Sequence, residues 1–203
     1  MNYKELLKEI ESYVESLFHI AVDSLPYHNL EHTQQVVNQA KQIIAHYPLD
    51  ETQVFMVCSA AWFHDVGYLT GPAAGHEERS MEVASVFLQG RQIPSALIKR
   101  IQACILSTKL PQKPHTLLEQ IICDADLYHF GTDAFFTQDA LMHAEVSKGN
   151  LPPSEWIKGT IRLLESHTFF TTYCQQTLNE KKKLNLKKLY DCLVWSAVYK
   201  AKP

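Results

Sequence analysis

Apolar residues recur along most of this chain at spacings of three and four, the period of helices with one buried face. Leu6, Leu7, Ile10, Tyr13, Val14, Leu17 and Phe18 predict a first helix over about residues 3–21. A break follows at Leu25-Pro26-Tyr27. Val36, Val37, Ala40, Ile43 and Ile44 form the buried stripe of a second helix over about 30–46, ended by Pro48. Asp50, with Gln53 three residues on, is placed to cap a third. That third helix, VFMVCSAAWF, is apolar on nearly every face, which predicts a central position. It runs into His64-Asp65-Val66-Gly67, with Gly67 placed as a C-terminal stop.

Residues 68–75 read as a loop, followed by a helix over about 76–89 that ends at Gly90. Pro94-Ser95 starts a fifth, carrying Leu97, Ile98, Ile101, Ile105 and Leu106. The link LPQKP leads to a sixth over about 115–129, closed by Gly131. Three or four further helices follow, punctuated by Gly149-Asn150-Leu151-Pro152-Pro153 and by Asn185. Strand-like alternation of useful length is absent, so the expected fold class is all-α, in a single domain over 1–203.

Composition narrows the picture only slightly. With 46% hydrophobic and 20% charged residues the chain matches an ordinary globular protein and not a disordered one. A net charge of -3 argues against nucleic acid as an obligatory partner, because a phosphate backbone needs a basic face. The N-terminal residues lack the pattern of a signal peptide, and no apolar run reaches the roughly 20 residues of a membrane span. Neither a membrane nor an export route is therefore expected. Five scattered cysteines without a CxxC spacing predict buried thiols and a cytoplasmic protein. The run Glu180-Lys181-Lys182-Lys183 reads as a solvated face. Trp62, Trp156 and Trp195 fall in apolar stripes and are expected in the core.

The chemistry concentrates in three places. His64-Asp65 interrupts the most apolar helix in the chain. A carboxylate buried there without a partner costs several kcal/mol, so it calls for a cation or a full hydrogen-bond shell. The second place is Tyr27-His28-Asn29-Leu30-Glu31-His32, with two histidines four residues apart at the start of a helix. The third is Asp124-Ala125-Asp126, where acids again follow an apolar run and periodicity leaves open which one points inward. Imidazole and carboxylate together suit zinc, manganese, iron, cobalt or nickel, and magnesium where carboxylates dominate. His76 and Arg79, one turn apart at a helix start, are candidates for binding a substrate phosphate, as is Lys109 at a helix end. No phosphate-cradling glycine loop, dinucleotide fingerprint or serine elbow is present in the sequence.

The order His, then His-Asp, then Asp resembles the HD-domain superfamily of metal-dependent phosphohydrolases. The likeness covers about residues 26–131 and rests on YHNLEH, AAWFHDVGY and ICDADL. It is similar above all to the small stand-alone HD phosphohydrolases, with their YHN-x-x-H, FHD-x-G-Y, HE-x-x-S and DADL pattern. The first segment is also similar to that of cyclic-nucleotide phosphodiesterases. The resemblance implies an HD helical bundle with a helical extension over about 132–203.

It further implies one divalent metal ion on His32, His64, Asp65 and Asp126. His28 becomes a proton donor to the leaving oxygen, and Asp65 both binds the ion and orients the nucleophile. His76 or Glu77 would belong to a second metal site, as in binuclear members. The implied reaction is attack of metal-activated water on a phosphomonoester or phosphodiester, of a nucleotide or another small phosphorylated metabolite. A nucleotide-binding regulatory module without turnover is one alternative. A di-iron oxygenase, drawing on His76, His115 and His129, is the other.

Overall fold

The computed structural model describes residues 2–21, 25–148 and 150–200, with side chains described as far as 194. Gly149 and the side chain of Trp195, named above, therefore lie outside what is described. Among the described residues there are nine α-helices and no strand: α1 Tyr3–Ile20, α2 Leu30–Ile44, α3 Glu51–Phe63, α4 His76–Gly90, α5 Ser95–Ser107, α6 Leu117–Asp126, α7 Phe135–Ser147, α8 Pro153–Ser166 and α9 Thr172–Lys200. None of them is long and apolar enough to cross a membrane. The chain divides into two compact units between Asp126 and Leu127.

In the first unit α3 is the central element, packed on α1, α2, α4, α5 and α6. Its apolar circumference is the cause: nine consecutive residues from Phe55 to Phe63 are buried, so no face is left for water. Burying one side chain of this size contributes roughly 1.5–3 kcal/mol. Asp50 and Gln53 form the reciprocal cap that their spacing predicts. The Asp50 carboxylate accepts from the Gln53 amide at 2.8 Å, and the Gln53 side chain accepts from the Asp50 amide at 2.9 Å. Tyr3 stacks on Phe55 and Tyr13 on Phe87, each with ring centres 4.6 Å apart, which ties α1 to α3 and α4.

Four local expectations change. The segment after His64-Asp65 is not an open loop throughout, since Val66–Thr70 forms a 3-10 turn. Gly67 lies inside that turn and does not end α3 in a left-handed conformation. It is small because α4 starts against it: a Cβ there would stand 2.0 Å from the His76 carbonyl oxygen. The sixth helix is shorter than its apolar pattern suggests, ending at Asp126 before a second 3-10 turn at Tyr128–Gly131. Asn185 does not break the last helix.

That asparagine belongs to the second unit, built from the Tyr128–Gly131 turn and α7–α9. Its side-chain amide donates to the carbonyls of Phe130 at 3.1 Å and Thr132 at 2.9 Å, and the residue is buried. The polar group sits inside a helix because the turn opposite has carbonyls to satisfy. Trp156 is half-buried, donating to Asp139 at 3.0 Å and stacking on His143. Trp62 is in the core of the first unit. Cys58, Cys104, Cys123 and Cys174 are buried as free thiols, whereas Cys192 is exposed.

Candidate metal centre

His32, His64, Asp65 and Asp126 converge although they come from three separate places in the first unit. Asn29 caps α2, its side-chain oxygen accepting from the His32 amide at 2.9 Å, which fixes His32 in the first turn. His64 is the residue that closes α3, and Asp65 follows it as the chain turns away. Asp126 is the last residue of α6. One ligand atom from each lies within 4.8 Å of all the others. Asp65 Oδ2 is 3.0 Å from His64 Nε2 and 3.4 Å from His32 Nε2. Asp126 Oδ1 is 3.6 Å from His32 Nε2 and 3.7 Å from His64 Nε2. Ligands bound at about 2.1 Å to one ion stand about 3–4 Å apart, so the quartet has the span of a coordination shell.

Two observations show that these residues fit a cation. The Nε2 atoms of His32 and His64 are buried and have no hydrogen-bond partner, a costly condition that an ion relieves. His64 Nδ1 lies 2.8 Å from the carbonyl of Ala61. A carbonyl only accepts, so Nδ1 carries the proton, and the neutral ring presents an Nε2 lone pair to the cluster. Asp124 is fully buried but is not one of the four, so of the two acids in the DAD run it is Asp126 that meets the histidines.

The electrostatics state the same demand for positive charge. Burial alone lowers the proton affinity of His32, yet the Asp126 and Asp65 carboxylates outweigh it and raise the pKa to about 9. His64 is raised too: burial opposes the shift and Asp65 and Asp126 overcome it. Burial pushes the Asp65 carboxyl up, but the His64 and His28 charges and the His32 and His64 imidazoles hold it well below the usual range.

His28 and His76 flank this quartet. His28 lies on the turn before α2, buried, with Nε2 4.0 Å from Asp65 Oδ2. His76 opens α4 and points Nε2 at the other oxygen of Asp65, 3.3 Å away. Its Nδ1 lies 2.8 Å from the Ala73 carbonyl, so it too presents an unprotonated Nε2 when neutral. Glu77 is buried beside it, but its carboxylate is 3.5 Å from Nδ1, on the side of the ring away from Asp65. His76 and Glu77 thus do not converge through one nitrogen.

Arg79 and Lys109 both have partners within the protein. The Arg79 guanidinium donates to the carbonyls of Gly67 at 2.9 Å, of Ala74 at 3.1 Å and of Pro72, which knits the 66–75 segment to α4. Three of its five N–H donors are thereby engaged with the backbone. Lys109 pairs on the surface with Glu78. His115 lines a separate pocket of about 480 Å³ with Lys109, Lys113 and Glu119.

Two further residues border the site, and the sequence pattern assigns neither of them a role. Tyr68, in the 3-10 turn, is sandwiched between the imidazoles of His28 and His76, at centroid distances of 3.7 and 4.0 Å. It packs against both rings, whose Nε2 atoms lie 4.0 and 3.3 Å from Asp65. Only its place directly after His-Asp-Val-Gly could have pointed to it. Gln112, in the proline-rich link, donates from Nε2 to Asp126 Oδ2 at 3.4 Å.

No known family profile matches the chain, and no curated protein matches it either. Solved structures do. A predicted HD superfamily hydrolase from an uncultured Thermotogales bacterium aligns with TM-score 0.61 and 22% identity, covering 96% of this chain and 98% of that one. A structural-genomics protein from Lactobacillus plantarum aligns over the whole of both chains, with TM-score 0.73 and 15% identity. The chain shares the fold of these two proteins, the first of them a predicted HD superfamily hydrolase.

Proposed function

We propose that this protein is a metal-dependent phosphohydrolase, acting on a phosphomonoester or phosphodiester of a nucleotide or similar small metabolite. The observation that carries this reading is the convergence of two partnerless imidazole nitrogens and two carboxylates within 4.8 Å. A divalent cation bound there supplies Lewis acidity and brings the pKa of a water toward neutrality. Asp65, bordered by His28, His32, His64 and His76, orients the attacking oxygen as well as holding the cation. His28 gives its proton to the leaving oxygen. It is held for that task by Tyr68 on its face and Asp65 at its edge. His76 contacts the phosphoryl group from the N-terminus of α4.

The substrate's remaining part is assigned to the pocket that shares His28. This pocket measures about 320 Å³ and has walls of Phe18, Ala21, Leu25, Leu30 and Leu69. That is near the lower limit of small-molecule sites, and no lysine or arginine lines it. It suits one uncharged nucleoside-sized group better than a polyphosphate. With five free thiols and net charge -3, we place the protein in the cytoplasm with a small-molecule partner, and not on nucleic acid.

The test is hydrolysis of nucleoside monophosphates, cyclic nucleotides and p-nitrophenyl phosphate with manganese, magnesium, zinc, iron, cobalt or nickel. Turnover is expected with at least one metal and ester, and none after chelation. Tight nucleotide binding with no turnover under any metal would refute the enzyme reading in favour of a regulatory module. Oxygen-dependent turnover with two irons per chain would favour an oxygenase.

A further inference from the structure

We propose that Gln112 is a two-handed positioning residue, whose amide holds Asp126 in place and whose carbonyl oxygen receives an O–H or N–H donor from the ligand in the site. This rests on the metallohydrolase reading and adds a residue to it. Asp126 uses its two oxygens differently. Oδ1 faces His32 and His64, and Oδ2 accepts from Gln112 Nε2 at 3.4 Å. Of the two acids in the quartet it is the less enclosed, with its side chain 16% exposed against 6% for Asp65. It also ends its helix, so less of the fold fixes its torsion angles. A neighbour that grips the oxygen turned away from the imidazoles keeps the other turned toward them.

The orientation of the amide follows from charge. A carboxylate only accepts, so the NH₂ end of Gln112 must face Asp126. The oxygen, Oε1, is then the free end of the amide. That oxygen atom is buried and has no hydrogen-bond partner. Such an acceptor is costly unless a donor arrives, and a site of this kind brings donors with it: water, or a hydroxyl or amine of the substrate. The rest of the link argues that this inward turn is specific. Leu110, Pro111 and Lys113 on either side are exposed, as residues of a solvated connection should be, and Gln112 is not.

The experiment compares wild type, Gln112→Met and, as a control on the same link, Lys113→Met. Mn²⁺ affinity is read by isothermal titration, and inorganic phosphate affinity is read at saturating Mn²⁺. Gln112→Met is expected to weaken Mn²⁺ binding about 10–100-fold, the usual scale for losing a group that orients a ligand. It should also weaken phosphate binding, while its thermal midpoint in chelator matches wild type and Lys113→Met changes nothing. Unchanged Mn²⁺ affinity in Gln112→Met, with wild type binding normally, overturns this role and leaves the metal site standing. Weakened Mn²⁺ binding with unchanged phosphate binding overturns the acceptor half alone. If wild type itself binds no Mn²⁺, both this role and the metallohydrolase reading fall. Gln112→Ala serves the same comparison if Gln112→Met does not fold.

Discussion

Asp65→Ala is expected to abolish divalent-metal binding and turnover together, the largest functional effect of any single substitution in this chain. Asp65 is the hub of the site. Its Oδ2 lies 3.0 Å from His64, 3.4 Å from His32 and 4.0 Å from His28, and its Oδ1 lies 3.3 Å from His76. Removing it takes away half of the quartet's carboxylate charge and the one group shared by all four imidazoles. The rings then repel one another once protonated, so the remaining ligands lose their common focus as well as a partner. Losing an orienting neighbour costs about 10–100-fold in metal affinity, and losing a ligand that is also the hub should exceed that. Asp65→Asn keeps the shape and removes the charge, so it separates electrostatics from packing. Titration of Mn²⁺ into both variants is the check, and affinity within about tenfold of wild type would contradict the assignment.

The largest expected effect on stability comes from Gly67→Ala. The added methyl would lie 2.0 Å from the His76 carbonyl oxygen, 2.9 Å from its carbonyl carbon and 2.9 Å from Ser80 Oγ. The first two are backbone atoms, so nothing flexible can yield, and the start of α4 must move. Two hydrogen bonds go with it: from the Gly67 amide to Ser80 Oγ, and from Arg79 Nε to the Gly67 carbonyl, both 2.9 Å. Overpacking of this kind costs about 3 kcal/mol or more, which for a chain of this size lowers the melting temperature by about 10 °C. His76 should leave Asp65 in the process, so activity falls beyond the loss of folded protein. Gly90→Ala is the matched control. A Cβ there meets nothing within 4 Å, and it should be neutral or stabilising by roughly 0.5–1 kcal/mol. Calorimetry on the two variants decides; equal melting temperatures would mean that α4 does not press on Gly67.

These contrasts also show where the sequence carries structure and where it does not. The helices of the first unit are legible because each must bury one face, and α3, apolar all round, can only be central. The capping pair at Asp50 and Gln53 is legible for a similar local reason. His64 and Asp65 announce themselves by interrupting that helix, since buried polar groups need partners. Asp126 does not: Asp124 is the more deeply buried of the two acids, and only the packing of α6 on α2 decides which one meets the histidines. Gln112 is silent, because a glutamine between prolines and lysines looks solvated until the link is folded. The backbone role of Arg79 is just as silent. A cation at a helix start reads as an anion site, and the sequence gives no hint that it also binds the carbonyls of the adjoining segment. Asn185 reads as a helix breaker until its two carbonyl partners are seen.

The central claim is that His32, His64, Asp65 and Asp126 hold one divalent ion. Its most direct test is the stoichiometry of Mn²⁺ bound by wild type, His64→Ala and Asp126→Ala, read by equilibrium dialysis with elemental analysis. The structure predicts at least one ion per wild-type chain, and one ion fewer, with hydrolysis lost, in each variant. Full metal content and full activity in both variants would contradict it.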